Sequence, residues 1–468
     1  MKKTYVLITT VISLVALWGG YLFGNAVLPK NEVSDNPSEI GLKAHAVESF
    51  PEYAYEYDTV IDPDVLTANW FADTEYVKNM LESAKSEAMK LNAENTYYFV
   101  ENAIITLGSY SNYLKYEDTL SVKIGNTVYG AYTEEGSSPI GGGKGYHEIF
   151  TTGDYVVRTY AEIVEACEKA KSGEVIFIPS DVSLDLTMEQ KATPSGAYIY
   201  LKEGVTLASD RGFVREDGTI STGAKLYGTG IVNPSITSNF VYCEKNTRVT
   251  GITMQGPDPS KHLEHHFRAF SVSNPPGHDY YYLFPLCSGI LLRGDNVEID
   301  NCELSGFSSQ AVSVASYENY FHHNYIHHNQ TNGLGYGICF GHGGGLIEYN
   351  LFNYNRHSIA GSGPADSYYT ARYNVEMGES LSHMFDMHGG RDRGDGTNIA
   401  GKYVDMYNDT FLSPMNPYYM RGVPVEYQNF YHNIVLNPKR NYNYSFFTGE
   451  NVKIYDNIFG IEKQTVVK

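Results

Sequence analysis

The feature that most constrains this chain is an asparagine that recurs down its C-terminal half in one local context. A polar or aromatic residue precedes it and an apolar strand residue follows: Asn301 (DNCEL), Asn324 (HNYI), Asn350 (YNLF), Asn374 (YNV), Asn408 (YNDTF), Asn433 (HNIV) and Asn457 (DNIF). The spacing is roughly two dozen residues, with one longer gap before Asn408, and a period of that size marks a solenoid. Between asparagines, apolar and polar residues alternate over short stretches that break at glycine or asparagine, the pattern of strands and not of helices. A leucine-rich horseshoe has a similar period but needs a leucine ladder that is missing here.

Aligning the units also aligns a second strand ending in a small residue: AVSVAS from Ala311, GICFG from Gly337, SIAGSG from Ser358, FDMHGG from Phe385, YYMRG from Tyr418 and FFTGE from Phe446. Each unit therefore reads as one rung of two or three short strands. Stacking satisfies each rung's backbone on its neighbours and lines like side chains into ladders. Asparagine suits a repeated corner because it tolerates the left-handed conformation and its amide can bond the asparagines above and below. The predicted fold is an all-β solenoid, a parallel β-helix beginning near Glu174.

Just upstream, Thr159 and Glu162 form a capping-box pair, and Tyr160, Ile163, Val164, Cys167 and Ala170 share one helical face before Gly173 stops the helix. Such an amphipathic helix would cover the open end of the coil, as solenoids require. The run AEIVEACEKAKSGEVIFIPSDVSLDLT and the rungs after it resemble the pectate-lyase-like superfamily of right-handed parallel β-helices, in particular its branch of carbohydrate-binding and sugar-hydrolysis repeats. The resemblance runs from about Tyr155 to the C-terminus. It implies a carbohydrate-related role and transfers no catalytic residue, because the matching positions are core and turn positions.

Upstream of the coil, Lys2 and Lys3 precede an uncharged, apolar stretch from Thr4 to Pro29, long enough to cross a bilayer or to serve as a signal peptide. The lysines predict that all that follows lies outside the cytoplasm, at the cell surface or secreted. The expected organisation is a signal-anchor or signal peptide over 1–30, a polar tether over 31–61, a mixed α/β subdomain over 62–155 packing on the coil, and the β-helix over 156–468. Five scattered cysteines form no disulfide framework and read as small apolar residues in the coil. A net charge of −20 argues against nucleic acid as partner. The 41 tyrosines either offer faces to sugar rings or simply fill outward strand positions.

The densest polar run, SHMFDMHGGRDRGDGTN, brings His383, Asp386, His388, Arg391, Asp392, Arg393 and Asp395 into one rung and the loop after it. Alternation puts Asp386 and His388 on one face, where a carboxylate can orient an imidazole for proton transfer. Neighbouring rungs offer His342, Arg356, His357, Tyr418, Tyr419 and Arg421 at corresponding strand ends. The expected catalytic set is His388, Asp386, Arg391, His357 and Arg421, with His342, Arg356, Arg393, Tyr418 and Tyr419 binding a chain of sugars. Rungs about 4.8 Å apart would spread this set over roughly 10–15 Å.

No cofactor is certain from the sequence. Asp392 and Asp395 could ligate calcium, although they miss the EF-hand spacing. The run FHHNYIHHNQTN suggests a metal less strongly, since strand alternation would send adjacent histidines to opposite sides. The leading expectation is an enzyme cleaving a uronate-containing polysaccharide by β-elimination. A hydrolase with paired aspartates and a non-catalytic glycan-binding or structural coil are the alternatives.

Overall fold

The computed structural model describes residues 121–459 except 125, 135, 188–196, 229–237, 257–286, 330–333, 378–382, 413–415 and 436–450. The apolar N-terminal segment, the tether, the expected helix before Ala93, the histidines of KHLEHHF and the FFTGE strand lie outside the described residues. No described helix is long and apolar enough to cross a membrane.

The chain forms a parallel β-helix, with one strip of stacked strands belonging to a 10-stranded sheet and two strips sharing a 17-stranded sheet. Register places apolar residues in continuous inward ladders. One runs Ile199, Val241, Ile290, Val312, Ile338, Ile359, Phe385, Tyr418. A second runs Leu207, Val249, Ile299, Phe321, Ile347, Ala371, Met406, Phe430. A third runs Leu226, Met254, Leu304, Ile326, Phe352, Glu376, Phe411, Val435. All three merge in one buried core, into which Glu376 intrudes as a fully buried carboxyl.

Coiling starts earlier than Glu174. Tyr155–Val156 already pairs in parallel with Ile176–Phe177, and the helix Tyr160–Lys169 lies between them in sequence. Its capping box is formed in both directions, Glu162 N–H to Thr159 Oγ1 and Thr159 N–H to Glu162 Oε2. The buried face of the helix, Tyr160, Ile163, Ala166 and Cys167, joins the main core. All five cysteines are free, four of them buried.

The asparagine ladder is real, but its members are not all those expected. It runs Asn324, Asn350, Asn374, Asp409, Asn433, Asn457. The Nδ2 groups of Asn324, Asn350, Asn374 and Asn433 donate to the side-chain oxygen of the next rung and to a main-chain carbonyl of the rung before, and that of Asn457 donates to the Phe430 carbonyl of the rung before. The left-handed corner is the residue just before: Asn301, His323, Tyr349, Tyr373, Asn408, His432 and Asp456 all have φ between 51° and 56°. Asn301 and Asn408 are thus corner residues, and Cys302 and Asp409 hold their ladder positions. The amide earns its place by bonding inside the coil, while side chains stacked from rung to rung support the strained corners, as Tyr349 on Tyr373 at 5.0 Å.

The described residues before the coil lie against it. Gly130 N–H donates to the His432 carbonyl, Ala131 N–H to Thr410 Oγ1, Gly141 N–H to the Tyr349 carbonyl and Gly143 N–H to Asn301 Oδ1. Tyr146 then donates to Asp300. Residues 130–146 therefore form a strap across successive corners, running toward earlier rungs as the chain advances. A Cβ on Gly142, at φ +65°, would collide with the His323 carbonyl oxygen, so glycine is what allows this approach.

Candidate functional site

The FDMHGG rung builds the site. Phe385 and Met387 face the core, which turns Asp386 and His388 outward on the same side, as alternation predicts. Parallel pairing sets Tyr419 beside Asp386, and Arg421 N–H donates to the Met387 carbonyl, which brings Arg421 beside His388. Gly389 permits this closeness, because a side chain there would strike the Arg421 carbonyl oxygen. The chain then turns through a short helical segment, Gly390–Arg393, which carries Asp392 back under His388.

Four side chains converge on Asp386. Its Oδ2 touches His388 Nε2 and lies 3.2 Å from His383 Nε2, 3.8 Å from His357 Nε2 and 2.9 Å from Arg421 Nη2. Asp392 Oδ2 lies 3.1 Å from His388 Nδ1 and 3.2 Å from Arg421 Nη1, so one imidazole and one guanidinium each bridge two carboxylates. His357 stacks between Tyr336 and His383, and Arg356 lies over the Tyr336 ring with Nη1 donating to its hydroxyl. Tyr419 and Arg421, both partly exposed, form the outer edge, while His357 and Asp386 are 0% and His388 1% exposed.

Burial on this scale moves protons. Burial, with His383 and Arg356 beside it, pushes His357 well below the usual imidazole range, and burial brings His383 down to about 4. Both are neutral at physiological pH. For Asp386, burial opposes ionisation, but Arg421 and then His388 and His383 outweigh it and hold the carboxyl well below its usual range. The site is thus a buried carboxylate held by one guanidinium, with His357 and His383 neutral beside it.

A second ionic cluster on the coil provides the contrast. Asp300 accepts from Arg248 Nε and Nη2 at 2.8 Å, from Tyr146 at 2.8 Å and from Thr250 at 2.7 Å, so both its oxygens are satisfied. It pins the strap. Around Asp386, in contrast, Asp386 Oδ1, His357 Nε2 and Arg421 Nε have no hydrogen-bond partner among the described residues. Buried polar atoms left in that state destabilise a fold by about 1–3 kcal/mol each, so they point to a functional demand and not to packing.

The remaining expected residues lie elsewhere. Arg391 is exposed on its turn, and His342 is exposed with the Tyr317 ring 6.4 Å away. Arg393 is occupied in holding its loop, donating to the carbonyls of Ser362, Gly363 and Ile399 and pairing with Asp395. Tyr418 faces the core and is fully buried in the ladder below Phe385, so it is not a sugar platform. Asp392 and Asp395 turn to different partners, which dissolves the calcium pair. His383 and Tyr336 belong to the site and were missed as site residues. Their signal was register: His383 stands two residues before Phe385 as His357 does before Ile359.

Adjacent histidines in FHHNYIHHN do not diverge. The Nδ1 atoms of His322 and His323 are 2.8 Å apart and those of His327 and His328 2.6 Å, because His323 and His328 have positive φ and turn the chain. The His322 and His327 Nε2 atoms face Glu298 and Glu303. Outward tyrosines mostly stack on one another, as Tyr403 on Tyr368 at 4.9 Å and on Tyr427 at 5.4 Å, which covers the faces a sugar ring would need.

No protein-family model matches the sequence, and no curated protein matches it. Among solved structures, the chain is similar to the tailspike protein of the E. coli bacteriophage HK620 in complex with a pentasaccharide, at 13% identity and a TM-score of 0.33 over 63% of this chain. A mutant of that tailspike matches at 12% identity and a TM-score of 0.33 over 65% of this chain. These matches span 60% and 62% of the tailspike chains, less than two thirds of their length. At this level the likeness carries no statement about ligand or activity.

Proposed function

We propose that this chain is an exported carbohydrate-active enzyme that cleaves a uronate-containing polysaccharide by β-elimination on the outer face of the coil. The observation that carries the reading is the convergence of His357, His383, Asp386, His388, Asp392 and Arg421, from three neighbouring rungs, into one cluster with unsatisfied polar atoms. Elimination needs a base for the C5 proton and a cation for the charge that develops on the uronate carboxylate. His388, held by Asp392 at Nδ1, supplies the base at Nε2 once substrate displaces the Asp386 oxygen and the Arg421 nitrogen that touch it there. Arg421 supplies the cation, and its planar fork suits a carboxylate. Tyr419 stands at the entrance. The sequence resemblance to the pectate-lyase-like superfamily and the apolar segment after Lys3 agree with a surface or secreted polysaccharide enzyme.

Hydrolysis by an aspartate pair fits less well. Asp386, ionised beside Arg421, suits only the base or nucleophile of such a pair, and Asp392, the carboxyl left for the acid, is engaged by both His388 and Arg421. Incubating the protein with a panel of acidic and neutral polysaccharides, while following absorbance of unsaturated uronate ends and new reducing ends, tests the reading. Both signals are expected on a uronate polymer. Reducing ends alone would replace elimination with hydrolysis, and silence across the panel would leave a non-catalytic coil.

A further inference from the structure

We propose that His357, His383 and Asp386 form a binding site for one divalent first-row transition-metal ion, a cofactor that the elimination reading does not require. One ring nitrogen of each histidine and a carboxylate oxygen of Asp386 all lie within 4.8 Å of one another, and the Nε2 atom of each histidine faces Asp386 Oδ2. Ligand atoms about 2.1 Å from a tetrahedral ion stand about 3.4 Å apart. The distances to Asp386 Oδ2, 3.2 Å from His383 and 3.8 Å from His357, bracket that edge.

Orientation agrees with the spacing. A metal-binding imidazole holds its second nitrogen in a hydrogen bond that fixes the tautomer. His357 Nδ1 donates to the His383 carbonyl at 2.5 Å, so the lone pair lies on Nε2. That Nε2 is fully buried, is directed at Asp386 and has no hydrogen-bond partner among the described residues, and neither has Asp386 Oδ1. Two imidazoles and a carboxylate select zinc, cobalt, nickel or iron over calcium or magnesium, which take oxygen ligands. Arg421 donates to the same Asp386 oxygen and to Asp392, and so orients the carboxylate while tempering its hold on a dication. In the other triplet of similar spacing, Glu298, Asp300 and His322, both oxygens of Asp300 are taken, whereas Asp386, though its Oδ2 is held by Arg421 and His388, keeps Oδ1 without a partner among the described residues.

The test needs no substrate, so it fails or succeeds separately from the elimination chemistry. Full-chain protein stripped by a chelator is titrated with cobalt(II), read by visible d–d absorption, and with zinc(II), read by calorimetry and by the rise in melting temperature. One ion per chain is expected, with binding weakened at least about tenfold in His357→Gln and in His383→Gln and unchanged in His342→Gln, which lies outside the cluster. Absence of a stoichiometric cobalt spectrum in the unmodified protein overturns the proposal, even if the variants fail to fold. So does binding that survives both substitutions.

Discussion

At the residue scale, the ladder amide is the unit of the coil. Asn350 accepts from Asn324 through its Oδ1 and donates through Nδ2 to Phe321 and Asn374, fully buried. Asn350→Ala strips these bonds from three rungs and should lower stability by about 2–4 kcal/mol in denaturant unfolding. Asp409 is the informative exception. Its Oδ1 accepts from Asn374, and burial pushes its carboxyl up to about 8, so it stands in the ladder as a neutral acid in place of an amide. Glu376, inward among phenylalanines, is raised to about 8 by the same cause. A carboxyl whose folded value exceeds its unfolded value makes the folded state hold the extra proton. Stability therefore falls as pH rises from about 4, the unfolded value, to about 8, and levels off above. Asp409→Asn should raise the unfolding midpoint at pH 8 and flatten its decline between pH 5 and 8. An unchanged pH profile would mean that Asp409 is ionised in the fold. The sequence showed the asparagine period but not its phase. In HNYI or YNLF the asparagine is the ladder member, whereas in DNCEL and YNDTF the residue after it is, and only the positive-φ corner tells them apart.

At the element scale, strand alternation was the reliable guide. It placed Asp386 and His388 together, and because every rung repeats the register, the alignment of YYMRG with FDMHGG already put Tyr418 on the core side with Phe385, against its expected place among the sugar-binding residues. Arg391 and Arg393 fell to the helical turn after Gly389, where strand parity no longer applies. The strap of residues 130–146 could not be read from the chain, since its partners lie as far along the sequence as His432 is from Gly130, and it has no period of its own. It depends on Gly142 meeting the His323 carbonyl with no side chain in between. Gly142→Val should release this segment while the coil stays folded: limited proteolysis would cut within 130–146 at least about tenfold faster, with far-UV circular dichroism little changed. Equal protection would show that the bonds around Gly130 and Tyr146 hold the strap unaided.

At the scale of the whole molecule, the ionic clusters at Asp300 and Asp386 have opposite economies among the described residues. The one at Asp300 is saturated and ties the strap to the corners. The one at Asp386 is crowded, incompletely hydrogen-bonded and set on the outer side of a strand whose inner side is well packed. A scaffold gains little from such a cluster, since apolar residues of similar volume commonly serve stability as well or better. That asymmetry supports the proposal that the Asp386 cluster serves chemistry. The most direct measurement compares His388→Ala with the unmodified protein for uronate-end formation and thermal unfolding together. The account predicts a loss of at least about 100-fold in product formation, the size of a general-base contribution, with the unfolding midpoint unchanged or raised. Full activity in the variant would contradict it, as would a large fall in the unfolding midpoint, which would make the cluster part of the scaffold.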